Sequence, residues 1–538
     1  MDRSNVAIIG AGPSGLTMLK ALREDGFTVT LFERRHNVGG LWAYSDNPTY
    51  TTALPVTRAN ISRFTCGFSD FPIPDKYPTY MQPHEFQEYM EDYAKHFDLL
   101  RDIVFGATLT HARRNDDDTG WLLDIEKDGK TETAAFDRVA FCHGYQSKAD
   151  VPTFEGQELF EGTIIHSQAY RDPEQFKDKN VVVVGLSSTA GDIVPTLMPV
   201  ASKVYISHRR GAIPFRRYRN GTPNDLGITW RRRQLSQFLQ RHFPTLSRRI
   251  ADLTVAFLSR RAFGPLDPAW RLEPFPSITV NLPGSFELLM PLLQDGSLTS
   301  LHGLTRFTGP RTVEFADGTV LGDVDAVVLC TGYSADWSVV APWIETSLPQ
   351  GASVEYTGPE MQRLWMNLFP ARYADSAVLL CYSAFGKNNG FSFADVTAWA
   401  ISNVWRGVEK LPARDEMERW IDEHQRWVAE KCWAVDDKCD ISMVRQWEFQ
   451  GWLHRAAGTG MDNLGWGWKG WVFWWRDRKM YGLMNDGLET AHAFRYFETG
   501  RRRTWDGARD AILHANEVVQ NMFPMKEDDI PWPPKVKV

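Results

Sequence analysis

Two short apolar segments, each running directly into a turn rich in small residues, constrain the fold of this chain most strongly. Residues 6–9 (VAII) precede the GAGPSG of residues 10–15, and residues 181–184 (VVVV) precede the GLSSTAG of residues 185–191. Such runs are typical of central parallel strands buried on both faces. A small-residue turn between a strand and a helix binds phosphates in Rossmann-like folds. The sequence therefore predicts an α/β protein with two dinucleotide-binding domains.

The first turn carries the complete G-x-G-x-x-G pattern. Gly10 permits the tight turn, Gly12 lets the backbone approach a pyrophosphate, and Gly15 lets helix and strand pack closely. The positive end of the following helix then faces the phosphates. Glu33, at the end of the next predicted strand, is placed to accept hydrogen bonds from ribose hydroxyls. This context predicts a bound dinucleotide, whereas a glycine-rich turn without a ligand is the alternative.

Further contacts with the same cofactor are predicted around the first turn. The glycine pair at residues 39–40 would let the backbone run against a flat cofactor, although such a pair is also common in plain turns. The expected additional contacts are Pro13, Ser14, Gly40, Leu41 and Trp42.

The second turn departs from the pattern, because Ser187 replaces the middle glycine and Ala190 the last one. The strand predicted at residues 203–206 leads into Ser207 and Arg209, and an arginine at this place accommodates a 2′-phosphate, which favours NADP over NAD. A nucleotide fold that no longer binds is the alternative. The predicted cofactor contacts here are Gly185, Ser187, Ser188, Ser207 and Arg209.

Two dinucleotide sites imply two cofactors, and a flavin that stores electrons delivered by a nicotinamide is the useful pair. The chain has no CxxC, so a flavin disulfide reductase is not expected. A net charge of −7 gives no support for nucleic-acid binding. We also expect no metal site, no transmembrane segment and a cytoplasmic location, because ligand spacings, long apolar runs and a signal peptide are absent.

A longer motif between the two turns points to a family. Phe160, Gly162, His166 and Tyr170 complete the pattern F-x-G-x-x-x-H-x-x-x-Y/F. Asn60-Ile61-Ser62, FSDFPIP at residues 68–74 and TGY at residues 331–333 flank it in order. Over residues 4–515 the chain thereby resembles the flavin-containing monooxygenases. Related Baeyer–Villiger monooxygenases commonly have Trp at the place of Tyr170.

The resemblance implies FAD on the first turn and NADPH on the second. Reduced flavin would react with O2 to give a flavin C4a-(hydro)peroxide, which inserts one oxygen atom into a small, apolar or aromatic organic substrate. N- or S-oxygenation or hydroxylation is favoured, and Baeyer–Villiger oxidation of a ketone is the alternative. A flavoprotein that only oxidises NADPH or senses redox state is the alternative of another class.

The resemblance also implies roles for single residues. Asn60 is the candidate catalytic residue and a cofactor contact, although an Asn between strand and helix signals is ordinarily a cap or turn. His166, within the domain-linking motif, is favoured as a structural histidine over a general base. Thr331 and Gly332 are expected to contact the cofactor. His143 stands where the family usually has a small residue before glycine.

The motif order predicts the domain organisation. Residues 1–172 and 325–445 are expected to form the FAD-binding domain, and residues 173–324 the NADP-binding domain with a helical insertion at about 212–290. Residues 446–538 form a Trp-rich extension, and the chain is a possible homodimer. Thirteen of the 21 tryptophans lie after residue 400, including Trp466, Trp468, Trp471, Trp474 and Trp475. This cluster is interpreted as a substrate lid or tunnel wall, as packing of the tail, or as a docking module for a partner or membrane.

Overall fold

A computed structural model describes residues 4–380, 390–433, 441–502, 504–526 and 529–530. The end of the predicted extension, residues 531–538, lies outside the described residues. Within the described part, the strands of three or more residues are β1 (Asn5–Ile9), β2 (Thr28–Glu33), β3 (Ile103–Phe105), β4 (Ala107–Arg114), β5 (Trp121–Lys127), β6 (Lys130–Phe136), β7 (Arg138–Phe141), β8 (Thr163–His166), β9 (Asn180–Val184), β10 (Lys203–His208), β11 (Thr299–His302), β12 (Leu304–Gly309), β13 (Thr312–Phe315), β14 (Ala326–Leu329) and β15 (Ala377–Leu379).

The helices lie mostly in the second half of the chain. They are α1 (Pro13–Glu24), α2 (Pro83–His96), α3 (Ser188–Leu197), α4 (Trp230–His242), α5 (Pro244–Phe263), α6 (Leu289–Gln294), α7 (Gly390–Trp405), α8 (Arg414–Trp433), α9 (Gln446–Ala457), α10 (Trp468–Arg476), α11 (Arg478–Asp486) and α12 (Ala508–Met522). Two-residue strands lie at Lys148–Ala149, Pro214–Phe215, Tyr218–Arg219, Thr222–Pro223, Gly284–Ser285, Val320–Leu321, Tyr333–Ser334, Thr346–Ser347, Met361–Gln362, Leu364–Trp365 and Phe369–Pro370.

The first sheet is parallel and has the order β15-β7-β1-β2-β3. Its central strand β1 is apolar from residue 6 onward and buried, as expected of a strand covered on both faces. Helices α1 and α7 pack on one face. The antiparallel sheet β4-β5-β6 covers the other face through side chains such as Trp121 and Phe136. The result is a three-layer ββα domain.

The second sheet is also parallel and has the order β11-β10-β9-β14-β8. Helices α3 and α6 cover one face, where Ile193 and Leu289 are fully buried. The other face is covered by an antiparallel sheet of β12, β13 and the two-residue strand Val320–Leu321, which pairs with β13. Two Rossmann-like three-layer units are therefore present, and the predicted α/β fold class is confirmed.

The positions of strands β8 and β14 differ from the predicted division into domains. The boundaries at 172/173 and 324/325 placed both strands in the flavin domain, but both pair within the second sheet. Strand β14 is fully buried between β9 and β8, and the Asp325 carboxylate accepts a hydrogen bond from the Asn180 N–H at 2.9 Å. The chain returns to the first sheet only at β15. The remaining division into domains stays a prediction.

The predicted insertion at about 212–290 contains helices α4 and α5, as its helix-like spacing indicated. Several of the large apolar side chains on this segment are not covered by the rest of the described chain. The exposed fractions of its large apolar side chains range from 50% to 72% for Phe238, Phe243, Leu246, Ile250, Leu253 and Phe257.

The Trp-rich extension divides into a buried and an exposed part. Trp452 on α9 is 5% exposed and packs against Trp365. By contrast, four members of the predicted cluster are 60–80% exposed, so packing of the tail does not explain Trp466, Trp468, Trp471 and Trp475. None of the helices in the described ranges combines the length and apolar character needed to cross a membrane.

Candidate functional site

The first turn leaves no room for side chains at its outer glycines. Gly10 has a φ of 101°, and a Cβ placed on it would lie 2.8 Å from the Cys142 carbonyl oxygen. A Cβ on Gly15 would lie 1.8 Å from the Gly10 carbonyl oxygen. Gly12 is the N-cap of α1, which begins at Pro13. The unpaired N–H groups at this helix end therefore open onto the carboxyl end of β1.

A second turn lies against the first. A Cβ on Gly40 would meet the Gly12 Cα at 3.0 Å, so the two backbones pass in close contact. The buried Arg35 guanidinium fixes this approach, because it donates to the carbonyl oxygens of Gly40 at 2.8 Å and Thr51 at 2.7 Å. Leu41 is 36% exposed beside the turn. The Gly40 backbone therefore lies beside the first turn, which is compatible with the predicted contact of residues 39–40 with a flat cofactor.

Glu33 lies at the end of β2, as predicted, and its carboxylate is buried. One oxygen accepts the Ala11 N–H at 2.6 Å, and the other accepts the Arg35 N–H at 2.8 Å. The carboxylate thereby holds the first turn in place. Each carboxylate oxygen can accept a second hydrogen bond, so a ribose contact remains compatible with this arrangement.

The second turn keeps the same backbone form despite Ser187. Gly185 has a φ of 109°, and a Cβ there would lie 2.3 Å from the Cys330 carbonyl oxygen. Ser187 is the N-cap of α3 with extended backbone angles, and its side chain is exposed. Ser188 begins the helix. The serine therefore leaves the helix terminus accessible.

The two predicted residues after β10 have different environments. Ser207 is fully buried, and its hydroxyl donates to the His302 carbonyl and accepts from the Leu304 N–H, both at 2.9 Å. The Ser207 side chain thereby joins β10 to the neighbouring part of the chain, and its predicted contact with the cofactor stays a prediction. Arg209 is exposed just beyond the strand and its stem covers Gly303. The exposed Arg209 side chain could therefore meet a ligand at this edge.

The domain-linking motif is built from packing contacts. Phe160 lies 4.9 Å from the Phe307 ring, and a Cβ on Gly162 would clash with the Phe160 ring at 2.5 Å. The Tyr170 hydroxyl is 2.6 Å from the Thr196 hydroxyl on α3. His166 is buried beside Tyr333, and burial lowers its pKa. A neutral, packed histidine fits the structural role that was favoured for it.

The T-G-Y turn at residues 331–333 follows β14 and is hydrogen-bonded to the segment that follows β7. The Thr331 hydroxyl donates to the Asp150 carbonyl at 2.5 Å, and the Asp150 N–H donates to the Gly332 carbonyl at 3.0 Å. Gly332 has a φ of 103°, with open space where a Cβ would stand. His143 follows β7 and its ring nitrogen contacts the Asp336 carbonyl at 3.0 Å. The open space beside Gly332 could admit a ligand, whereas the Thr331 hydroxyl already donates its proton to the Asp150 carbonyl.

Asn60 is held by two residues of the inserted segment. Its side-chain oxygen accepts from the Ser285 hydroxyl at 2.7 Å and from the Arg217 guanidinium at 3.1 Å. Arg217 also donates to the Arg58 and Ala59 carbonyls at 2.8 Å each, and forms a buried ion pair with Glu287 at 2.9 Å. The amide is therefore oriented with its NH2 group away from these donors.

Arg217, Ser285 and Glu287 were not predicted from the sequence. They lie 157 to 227 positions from Asn60, and no local pattern connects them with it. The sequence indicated only that these three residues belong to the predicted insertion.

The segment around Asn60 also contacts the second turn. The Thr57 hydroxyl donates to the Asp192 carboxylate on α3 at 2.7 Å. The Ser285 carbonyl oxygen lies 3.3 Å from the position that a Cβ on Gly191 would take. Burial raises the pKa of Asp192 to about 6. Asn60 is therefore connected to the first turn of α3 on two sides. Among the described residues, no cluster of His, Cys, Asp and Glu is arranged to hold a metal ion.

Comparisons with known proteins agree with this geometry. A family model described as flavin-binding monooxygenase-like matches residues 3–530. Over 527 residues the chain is 35% identical to Monooxygenase aurF of Gibberella zeae, covering 96% of this chain and 98% of the relative. It is 31% identical over 435 residues to Flavin-containing monooxygenase 5 of Oryctolagus cuniculus, covering 78% and 76%.

Two solved structures share the fold. S-allyl-L-cysteine S-oxygenase from Allium sativum matches with a TM-score of 0.62 and 19% identity, covering 96% of this chain and 99% of the other. Cyclohexanone monooxygenase from Rhodococcus sp. Phi1 bound to NADP+ matches with a TM-score of 0.59 and 17% identity, covering 86% and 98%. The predicted resemblance and the predicted flavin cofactor are confirmed. Because the family model spans nearly the whole chain, this protein belongs to the flavin-binding monooxygenase-like family and is an oxidoreductase.

Proposed function

We propose that the protein is an FAD- and NADPH-dependent monooxygenase that transfers one oxygen atom from O2 to a small, apolar or aromatic organic substrate. Oxygenation of a nitrogen or sulfur atom, or hydroxylation, is the favoured outcome. The observation that carries the proposal is the Asn60 amide, whose oxygen is held by Arg217 and Ser285 and whose segment contacts α3 at the second turn. Membership in the family supports the same assignment.

The residues present fit the two cofactors. The close approach of Gly12 and Gly40 leaves bare backbone where FAD would lie, and the α1 terminus suits its pyrophosphate. Gly185 and the α3 terminus would hold NADPH, with Arg209 on the 2′-phosphate. Bound FAD supplies electron storage and the activation of O2, and NADPH supplies the hydride.

Asn60 would serve as a fixed hydrogen-bond donor. An asparagine side chain has one carbonyl oxygen and two N–H groups. Because Arg217 and Ser285 both donate to the oxygen, the orientation of the amide is determined and the N–H groups stay available. A preoriented donor stabilises negative charge that develops on an oxygen atom without reorganising during the reaction.

The contacts of Asn60 with the second turn suit this role. The links through Thr57 to Asp192 and through Ser285 to Gly191 tie the donor to the α3 terminus. A donor fixed in this way would keep its place relative to the nicotinamide nucleotide while the domains adjust.

The test is a product assay with FAD-loaded protein, NADPH and O2. Panels of tertiary amines, thioethers and ketones are analysed by mass spectrometry, and NADPH consumption and H2O2 are measured in parallel. We expect N-oxides, S-oxides or hydroxylated products in proportion to the NADPH used. Esters or lactones from ketones alone would replace this proposal with Baeyer–Villiger oxidation. Stoichiometric H2O2 with every substrate would make the protein an NADPH oxidase instead.

A further inference from the structure

The loop around the candidate catalytic amide is anchored by a backbone hydrogen bond at each end. The Ala59 N–H donates to the Met81 carbonyl at 3.0 Å, and the Arg63 N–H donates to the Thr79 carbonyl at 2.8 Å. The three residues between these two bonds begin with Asn60. Contacts from other parts of the chain therefore decide how precisely these three residues are held.

One carboxylate of the inserted segment accepts three hydrogen bonds from this loop. A single oxygen of Asp225 accepts from the Ser62 N–H at 2.9 Å, from the Ser62 hydroxyl at 2.6 Å and from the Thr65 hydroxyl at 2.6 Å. Ser62 is fully buried. Hydrogen bonds to an ionised carboxylate are about twice as strong as those between neutral groups. Asp225 thereby holds the loop two residues after Asn60.

Asp225 lies at the end of a short β-hairpin. The strands Tyr218–Arg219 and Thr222–Pro223 pair antiparallel, and the turn between them has a φ of 50° at Asn220 and 74° at Gly221. An Asn-Gly pair with positive φ at both residues forms the two-residue turn whose twist matches that of the flanking strands. The hairpin therefore supports Asp225 with little conformational freedom.

Both ends of this hairpin hold the same loop. The Asn224 N–H donates to the Arg217 carbonyl at 2.8 Å, which closes the base of the hairpin. Arg217 contacts the side-chain oxygen of Asn60 from one end. Asp225 binds Ser62 from the other end. The hairpin thus fixes both the amide and the chain that follows it.

The tip of the hairpin is covered by the segment that follows α12. The Met525 N–H donates to the Gly221 carbonyl at 2.9 Å, and a Cβ on Gly221 would lie 2.0 Å from the Met525 carbonyl oxygen. The Phe523 ring packs edge-on against Phe64 of the loop, with the ring centroids 5.7 Å apart. These contacts limit movement of the hairpin and of the loop together.

We propose that Asp225 is a positioning residue that sets the place of the Asn60 amide. Its carboxylate acts through Ser62 and Thr65, and the inference rests on the proposed role of Asn60 as a fixed donor. Loss of the carboxylate would free the loop, and a displacement of about 1 Å can cost roughly 100-fold in rate. NADPH would still be consumed, but more of it would yield H2O2 instead of oxygenated product.

Hydrogen exchange tests the hold on the loop without any substrate. In Asp225→Ala, the amides of residues 60–65 should exchange at least about tenfold faster than in the parent, because the Ser62 N–H loses its acceptor. The amides of the first turn, residues 10–15, should exchange as in the parent. Unchanged exchange across residues 60–65 would overturn the proposal.

Matched threonine variants separate this contact from a general loss of stability. Thr65→Val removes one of the three donors at nearly constant volume, and should lower kcat for the oxygenated product about two- to fivefold with the KM for NADPH within about twofold. Thr133→Val is the control, because the Thr133 hydroxyl also donates to a carboxylate, that of Asp124, at 2.6 Å. It should behave as the parent does. FAD content and thermal midpoints show that each variant is folded.

Asp225→Asn is the conservative variant. It keeps one acceptor oxygen but loses the charge. Its NH2 group takes the place of the second carboxylate oxygen, which is buried and has no hydrogen-bond partner within the described ranges. We expect Asp225→Ala to lower kcat roughly tenfold or more, and Asp225→Asn to give a value between those of Asp225→Ala and the parent.

A double-mutant cycle shows whether Asp225 acts through Asn60. In the Asn60→Ala background, Asp225→Ala should have little further effect on kcat, since no donor is left to position. Full additivity of the two losses, or a normal kcat in Asp225→Ala, would overturn the proposal. If the parent itself forms no oxygenated product, the proposed function fails, whereas hydrogen exchange still decides whether Asp225 holds the loop.

Discussion

At the scale of single residues, the proposed chemistry depends on which atoms of the Asn60 amide are free. Asn60→Asp keeps an oxygen for Arg217 and Ser285 but removes the N–H donor, and Asn60→Ala removes both. Both variants should lower kcat for the oxygenated product by about 10²–10³, the usual cost of losing a donor to a developing anion, and should lower the yield of product per NADPH. The readout is product and H2O2 in the same reaction.

Ser285→Ala provides the graded control for this prediction. It removes one of the two donors that orient the amide, so the yield of product should fall to a value between the parent and Asn60→Ala. A normal yield from Asn60→Asp would show that the amide N–H groups have no role.

We expect Arg209 to determine the preference between NADPH and NADH. Arg209→Ala should raise the KM for NADPH by roughly 10- to 100-fold, because a charge-assisted hydrogen bond to the 2′-phosphate is lost, and leave the KM for NADH unchanged. Arg419→Ala, on an exposed arginine of α8, is the control and should alter neither value. An equal loss with both coenzymes would contradict the 2′-phosphate assignment.

Asp192 gives the protein a pH dependence of known sign. Burial raises its pKa to about 6, above the usual value, so its stabilising contribution is present at low pH and is lost as the pH rises through about 6. Asp192→Asn stays neutral and can still accept from Thr57. Relative to the parent, the variant should gain about 1–2 kcal/mol between pH 4 and pH 8, because the loss in the parent begins above the usual carboxyl pKa and is complete only above about 6.

Thermal midpoints of both proteins measured across this pH range check the prediction. Parallel curves for the parent and Asp192→Asn would show that the carboxylate titrates normally in the folded protein.

At the scale of elements, the two small-residue turns differ in what they tolerate. Gly185→Ala places a Cβ 2.3 Å from a backbone oxygen at a positive φ, so it should destabilise β9 and α3 by more than about 1 kcal/mol and abolish NADPH binding. Ser187→Gly should cost only a few tenths of a kcal/mol and leave the KM for NADPH within about threefold, because the serine side chain makes no cap. A severe loss in Ser187→Gly would contradict this geometry.

The turns could be predicted because strand, turn and helix are adjacent in the sequence and each residue type has a local reason. Strands β8 and β14 could not be assigned, because the sheet that a short apolar strand joins depends on partners far along the chain. The same applies to Asn60, whose partners come from the insertion, and to Ser207, whose hydroxyl is used by neighbouring strands. Local sequence determines an element but not its distant contacts.

At the scale of the whole molecule, a buried ionic network ties the C-terminal segment to the first domain. The Asp70 carboxylate contacts Lys20 on α1 at 2.7 Å and Arg495 at 2.8 Å, and all three side chains are buried. Burial alone would raise the pKa of Asp70, but the two cations outweigh it and the pKa is lowered. The extension is therefore joined to the body of the enzyme.

Arg495→Leu should destabilise the protein by about 3–5 kcal/mol, because a buried carboxylate loses a partner. Adding Asp70→Asn should restore part of this loss, since the uncompensated charge is then removed. Thermal unfolding of the two variants measures both effects. An unchanged midpoint for Arg495→Leu would show that the extension is held by packing alone.

The central claim is that oxygen from O2 enters the organic product. FAD-loaded protein is incubated with NADPH, isotope-labelled O2 and the panels of amines and thioethers. The masses of the products are then measured by mass spectrometry. We predict one heavy oxygen atom in each product molecule, with product formed in proportion to NADPH. Unlabelled products, or oxidation of NADPH that yields only H2O2 with every compound, would contradict the assignment as a monooxygenase.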